Sequence, residues 1–206
     1  MIAIIDYGVG NLFSLRSSLK SIGAEAVITS DVDEIKKADK LILPGVGAFA
    51  DAARKLRGSG LDGVVKSEAG AGKDIMGICL GMQLLFQRSF EYGEHEGLGL
   101  LGGSVVPMQG AIPPELKIPH IGWNALRFKR ESRLFKYIKE NDCVYFVHSF
   151  YAADCDDSVI ATAEYGIELT AAVQKDNIMG CQFHPEKSGN IGLNILRAFC
   201  EKEARR

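Results

Sequence analysis

Long apolar runs are missing from this sequence. The N-terminus opens directly into Ile2-Ala3-Ile4-Ile5 with no basic stretch before it. Neither a signal peptide nor a membrane-spanning helix is therefore expected. An excess of one charge is missing too. The 24 Lys and Arg against 26 Asp and Glu leave a formal charge of −2, with both signs interspersed. That gives no electrostatic reason to expect nucleic acid or a membrane surface as partner. Paired cysteines are also lacking: the five, at positions 79, 143, 155, 181 and 200, include no C-x-x-C and are odd in number. A reduced, cytoplasmic chain without disulfides, structural zinc or another metal site is the expectation. A dinucleotide fingerprint is absent, because Gly8-Val9-Gly10 is not continued by G-x-x-G, so no nucleotide or other cofactor is assigned. No internal repeat, linker or low-complexity segment interrupts the 206 residues, and a single domain over 1–206 is expected.

What is there is an alternation of short apolar runs with amphipathic stretches. Ile2 to Ile5 reads as a buried strand. Leu12, Leu15, Leu19 and Ile22 then mark one face of a helix over 11–22, stopped by Gly23. Strands over 25–28 and 40–43 and helices over 32–37, 48–57 and 60–68 continue the pattern to a strand at 74–76. Such βα units predict an α/β fold built on a doubly wound, mostly parallel sheet, with ligands outside the carboxyl ends of its strands. A helix is expected over 83–87; two short β runs over 98–108 and a strand over 123–128 read as antiparallel additions to the parallel core, with a short helix over 131–141. Further strands are expected at 143–147, 158–163, 169–174 and 178–183, and a helix over 190–201 closes the chain. The basic residues Arg127, Lys129, Arg130 and Arg133 read as a solvated face rather than a phosphate site.

The chain is organised around Gly77-Ile78-Cys79-Leu80-Gly81-Met82-Gln83. A nucleophile with glycine two positions away on each side, between a strand and a helix, is the pattern of a nucleophile elbow. Glycine relieves collisions at the sharp turn, and the helix N-terminus beyond it favours thiolate and can bind an oxyanion. Alone, the stretch fits a buried cysteine at a strand end equally well. Far downstream, the strand reading of Met179-Gly180-Cys181-Gln182-Phe183 leads into His184-Pro185-Glu186. On extended backbone, His184 and Glu186 project to the same side, with Pro185 keeping the segment out of a helix. Cys79, His184 and Glu186 then supply nucleophile, base and orienter. His148 is a weaker candidate base, having no carboxylate two residues away, and His120 reads as structural.

These motifs, GICLGMQ and QFHPEKS, resemble the triad of class I glutamine amidotransferases. Asp6–Leu12, Pro44-Gly45-Val46-Gly47, Pro119-His120-Ile121-Gly122-Trp123-Asn124 and Tyr145–Ser149 narrow the resemblance to the glutaminase subunits of imidazole glycerol phosphate synthases. The resemblance implies an oxyanion hole from Val46, Gly47 and the N–H of Leu80. It implies L-glutamine as substrate, touched by Gly45, Gln83, His148 and Ser149. It also implies a cyclase partner with a (β/α)-barrel fold, approached through Asn11, Pro119 and Trp123. By its residue type alone, Trp123 fits core packing as well as an interface. The alternatives are an amidotransferase subunit of pyridoxal phosphate or anthranilate synthesis, which should lack PHIGWN, and a non-catalytic module on the same fold.

Overall fold

The computed structural model describes residues 1–201. The first half alternates as expected: β1 (Ile2–Ile5), α1 (Leu12–Ser21), β2 (Ala26–Thr29), α2 (Val32–Lys37), β3 (Lys40–Leu43), α3 (Phe49–Gly58), α4 (Leu61–Gly70), β4 (Asp74–Ile78) and the short α5 (Leu80–Leu84). Strands then dominate: β5 (Phe86–Ser89), β6 (His95–Glu96), β7 (Leu101–Pro107), β8 (His120–Ala125), β9 (Arg127–Phe128), β10 (Cys143–His148) and β11 (Phe150–Ala153). The chain continues through β12 (Val159–Tyr165), β13 (Ile167–Lys175), β14 (Ile178–Cys181) and α6 (Gly189–Cys200).

Among the described residues the main sheet has eight strands in the order β2-β1-β3-β4-β14-β13-β12-β9. Its β2, β1, β3, β4 and β14 run parallel, and β13, β12 and β9 extend one edge antiparallel. Every residue of β1, β3 and β14 is buried, as strands covered on both faces require. Strand alternation divides the core between the two faces. Ala3 and Ile5 pack with α2, α3 and α4 on one side, while Ile2 and Ile4 pack with α1 and α6 on the other. One consequence decides the site: β4 and β14 are neighbours, with Ile78 paired to Cys181, although about a hundred residues of chain separate them. Their carboxyl ends open at the same place.

Four expectations fail for identifiable reasons. The helix read over 83–87 ends at Leu84, because Leu85, Phe86 and Gln87 offer their carbonyls to the backbone of 97–101 and the fully buried Phe86 opens β5. The two β runs over 98–108 are one strand, β7, lying between β5 and β11. The strand over 123–128 divides at the buried Leu126 into β8 and β9, which belong to different sheets. The helix over 131–141 is a single 3-10 turn at Arg133–Phe135. There Leu134 and Phe135 reach the core as adjacent residues, and Phe135 stacks on Phe128 at 4.4 Å. The basic residues of this region are paired: Arg127 with Glu164, Lys129 with Glu168, Arg133 with Asp74, and Arg130 with the carbonyls of Asp156 and Asp157.

Candidate active site

Cys79 closes β4 and caps α5 with φ 54° and ψ −112°, a conformation L residues rarely hold. Two features keep it there. Its N–H donates to the Cys181 carbonyl at 2.7 Å, continuing the β4–β14 ladder by one step, and its carbonyl accepts from Gln83 N–H. The flanking glycines are forced by close approach. A Cβ on Gly77 would lie 2.6 Å from Met82 Cα, and one on Gly81 would lie 1.8 Å from the Leu43 carbonyl oxygen. The elbow is thus clamped between its own helix and the end of β3.

His184 lies just beyond β14, its N–H held by the Tyr145 carbonyl of β10. Here the structure corrects the sequence reading. β14 ends at Cys181, and Pro185–Lys187 is a 3-10 turn rather than extended chain. Proline is tolerated at the first helical position, where its missing N–H would have no acceptor, so Pro185 opens the turn instead of preventing it. The pairing of His184 with Glu186 survives: imidazole Nδ1 stands 2.8 Å from Glu186 Oε1, with both side chains almost fully buried. Burial alone pulls the His184 pKa down; the facing Cys79 sulfur and the Glu186 carboxylate reverse this and hold it at about 9. With Nδ1 committed to Glu186, Nε2 is the nitrogen left for Cys79.

Cys79 and His184 open onto a cavity of about 440 Å³, also lined by Val46, Gly47, Leu80, Gln83, Glu91, Pro119, His148, Ser149 and Lys187 among others. Gly47 stands at φ 92° with no atom near the place of its Cβ, and Leu80 opens α5, whose first N–H groups have no acceptor within the helix. Gly45 does not line the cavity. It is buried, and its Cβ would meet Gly81 N at 2.8 Å, so the loop presses on the elbow there. Gln83 is buried, and its Nε2 donates to the Phe150 carbonyl and to Gln182 Oε1. His148 forms wall: its Nδ1 donates to the Phe150 carbonyl and its Nε2 pairs with His120, while burial depresses its pKa to about 4. His120 is stacked between Phe146 and Tyr165, and burial likewise lowers its pKa. Pro119 sits at the cavity edge; Trp123, 58% exposed, and the exposed Asn11 lie outside it.

A model of the glutamine amidotransferase class I family matches residues 3–202. The chain belongs to that family. It is 52% identical to "Imidazole glycerol phosphate synthase subunit HisH" of Caldanaerobacter subterraneus subsp. tengcongensis, over 98% of each chain. The proteins of the same name from Lactococcus lactis and Aquifex aeolicus are 50% and 46% identical over at least 95% of either chain. Among solved structures, a glutamine amidotransferase superposes with a TM-score of 0.75 at 19% identity, covering 97% of this chain and 99% of its own. The PurLQS structure from Thermotoga maritima contains a chain with a TM-score of 0.74 at 21% identity, with 96% of each covered. At those identities the likeness concerns the fold, a mostly parallel α/β sheet with antiparallel additions.

Residues that hold the 44–48 loop escaped sequence reasoning. Glu91 accepts from the N–H of Phe49 at 2.6 Å, serving the N-terminus of α3, which has no side-chain cap of its own. It thereby ties down the far end of the 44–48 loop and lines the cavity with a carboxylate. Tyr7 holds the near end, its buried hydroxyl donating to the Pro44 carbonyl at 2.7 Å, and burial raises its pKa. Tyr7 stands in the Asp6–Leu12 stretch and Glu91 in no motif; the part each plays at the site is revealed by the close packing of distant loops.

Proposed function

We propose that this chain is the glutaminase subunit of an imidazole glycerol phosphate synthase of L-histidine biosynthesis. In this reading it hydrolyses glutamine through Cys79, His184 and Glu186 and passes ammonia to a cyclase subunit. One observation carries the chemistry. A strained cysteine at the end of β4 meets a buried His–Glu pair from the end of β14, inside one cavity. The shared name of the relatives, as subunits of a synthase, supports the pathway and the need for a partner.

The Cys79 sulfur attacks the side-chain amide carbon of glutamine. The N–H of Leu80 and the N–H groups of the Val46–Gly47 loop receive the developing oxyanion. His184 Nε2 protonates the departing ammonia while Glu186 holds the imidazolium. Water then cleaves the γ-glutamyl thioester with His184 as general base. Glu91 is the carboxylate for the substrate's ammonium group, and Gln83 Oε1 and Ser149 complete the glutamine pocket. The cyclase, a (β/α)-barrel, uses the ammonia to form imidazole glycerol phosphate and an aminoimidazole carboxamide ribotide. It docks over the cavity mouth beside Pro119 and Trp123, with Asn11 further along the same contact. The chain acts as one amidotransferase domain in the cytoplasm.

The test is covalent. A glutamine-analogue electrophile should label Cys79 alone among the five cysteines. Cys79→Ala should abolish labelling and glutamine-dependent synthesis while added ammonia still supports product formation with the cyclase. Labelling at Cys143 or Cys181, or full glutamine-dependent synthesis by Cys79→Ala, would overturn the assignment.

A further inference from the structure

Cys79 has a second neighbour that the triad does not account for. Gln182 follows Cys181 at the end of β14, one step beyond the residue paired with Ile78, so it stands beside Cys79 in register. It is fully buried, and its Nε2 lies 3.7 Å from Cys79 Sγ. Which end of the amide faces the sulfur follows from the surrounding hydrogen bonds. The Phe150 carbonyl can only accept, so the Gln83 atom 3.1 Å from it is the amide nitrogen. That same nitrogen is 3.0 Å from Gln182, which must present Oε1 to it. The other end, Nε2 with its hydrogens, is left for the sulfur.

The network continues beyond the Phe150 carbonyl, on which donors converge from both sides. The Phe150 carbonyl also accepts from His148 Nδ1 at 2.8 Å, which makes His148 Nε2 an acceptor. His120 Nδ1 donates to it at 3.1 Å, and His120 Nε2 in turn accepts from Asn124 Nδ2 at 3.3 Å. Asn124 is fixed independently, Nδ2 to the Glu164 carbonyl and Oδ1 to the N–H of Ala125. Every orientation between β8 and the elbow is thereby determined, and the last donor is aimed at Cys79.

We propose that Gln182 is a positioning residue for Cys79, holding the sulfur by an N–H···S hydrogen bond that strengthens when the sulfur is anionic. The inference rests on the reading of Cys79 as nucleophile and adds a residue to that site. A buried amide hydrogen needs an acceptor, and an anionic sulfur is a far better one than a thiol. The hydrogen bond also fixes the sulfur against rotation about the Cys79 Cα–Cβ bond, leaving His184 Nε2 to manage protons. Gln182 is fully buried behind Cys79 and does not line the cavity.

The test uses iodoacetamide on the full chain, with alkylation of Cys79 followed by mass spectrometry across pH. Gln182→Met removes the donor at similar length; its alkylation should be on the order of tenfold slower, as for loss of a hydrogen bond to a charged group. The acid limb of the rate profile should move to higher pH. With the cyclase and glutamine, kcat should fall while KM stays near parental. Gln182→Glu preserves shape but aims negative charge at the sulfur, so it should alkylate more slowly than Gln182→Met; a packing role gives the opposite order. Because Gln182 is fully buried, the parent supplies a second measurement. The Gln182 side-chain amide proton, followed by NMR, should shift upfield when Cys79 is capped with methyl methanethiosulfonate. An unmoved amide resonance, or parental alkylation kinetics in Gln182→Met, overturns the proposal. These readouts need no turnover, so failure of the glutaminase reading shows itself separately, as undiminished glutamine hydrolysis in Cys79→Ala.

Discussion

Replacing Gly81 by alanine should break the site through one methyl group. The new Cβ would stand 1.8 Å from the Leu43 carbonyl oxygen, 2.7 Å from Leu43 C and 3.1 Å from Pro44 C. Ordinary contact begins near ~3.5 Å, so something must retreat by roughly 1.7 Å. None of the obstructing atoms is a flexible side-chain end. Leu43 is the last residue of β3, paired with Gly77, and its carbonyl leads into the loop that carries Val46 and Gly47. Relief comes only by pulling β3 from β4 or by pushing the elbow and the loop apart. Overpacking against backbone belongs at or above the top of the usual ~1–3 kcal/mol range. About 3 kcal/mol corresponds to a fall in Tm of roughly 6–12 °C for a chain of this length. The functional cost is larger, since a misplacement of about 1 Å between nucleophile and oxyanion donors costs on the order of 10²-fold in rate. The assay is thermal unfolding together with glutamine hydrolysis in the presence of the cyclase. Gly63→Ala is the control: Gly63 lies on the exposed face of α4 with no atom near its Cβ, and the same substitution should stabilise by about 0.5–1 kcal/mol. A Gly81→Ala protein with parental Tm and kcat would refute the reasoning.

The remaining predictions concern charge and surface. Glu186→Gln keeps the shape beside His184 Nδ1 but removes the charge holding its proton, so kcat should drop by roughly 10²-fold or more in a steady-state assay, with KM little changed. His184 is raised to about 9, so its contribution to stability is complete below about 6.5 and is lost as pH rises from there through 9. His148 is depressed to about 4, so the unfolded chain takes up its proton first and stability falls as pH drops from about 6.5 through 4. Tm should therefore peak near pH ~6.5, and the acid slope should flatten in His148→Gln; a Tm rising steadily down to pH 4 would contradict the assignment. Trp123→Ala should leave Tm within about a degree or two, because the ring is exposed, yet weaken cyclase binding by roughly 2 kcal/mol in titration calorimetry. Unchanged affinity would remove Trp123 from the docking surface.

Local sequence was enough for the parallel half of the molecule. There the strands are short apolar runs, β1 and β3 buried throughout, and each helix is a stripe of apolar residues, so period and punctuation suffice; α2 and β3 have the very bounds read from sequence. The elbow was legible as a motif, since Gly77, Cys79 and Gly81 lie within five residues, although the carbonyl that Gly81 must clear belongs to Leu43 of β3. Tertiary structure alone decided the rest. Leu85-Phe86-Gln87 continues a helical pattern, but pairing with 97–101 ends the helix at Leu84 and makes a strand from Phe86 on, because hydrogen bonds to another segment outweigh a weak local preference. His184 and Glu186 meet across a 3-10 turn that proline opens, a geometry two-residue spacing cannot distinguish from extended chain. Glu91, Tyr7 and Gln182 reach the site through sheet order and loop packing, which bring together residues tens to a hundred positions apart. Spacing along the chain records the chemistry a nucleophile needs beside it in sequence; what surrounds it in space is set only once β14 pairs with β4.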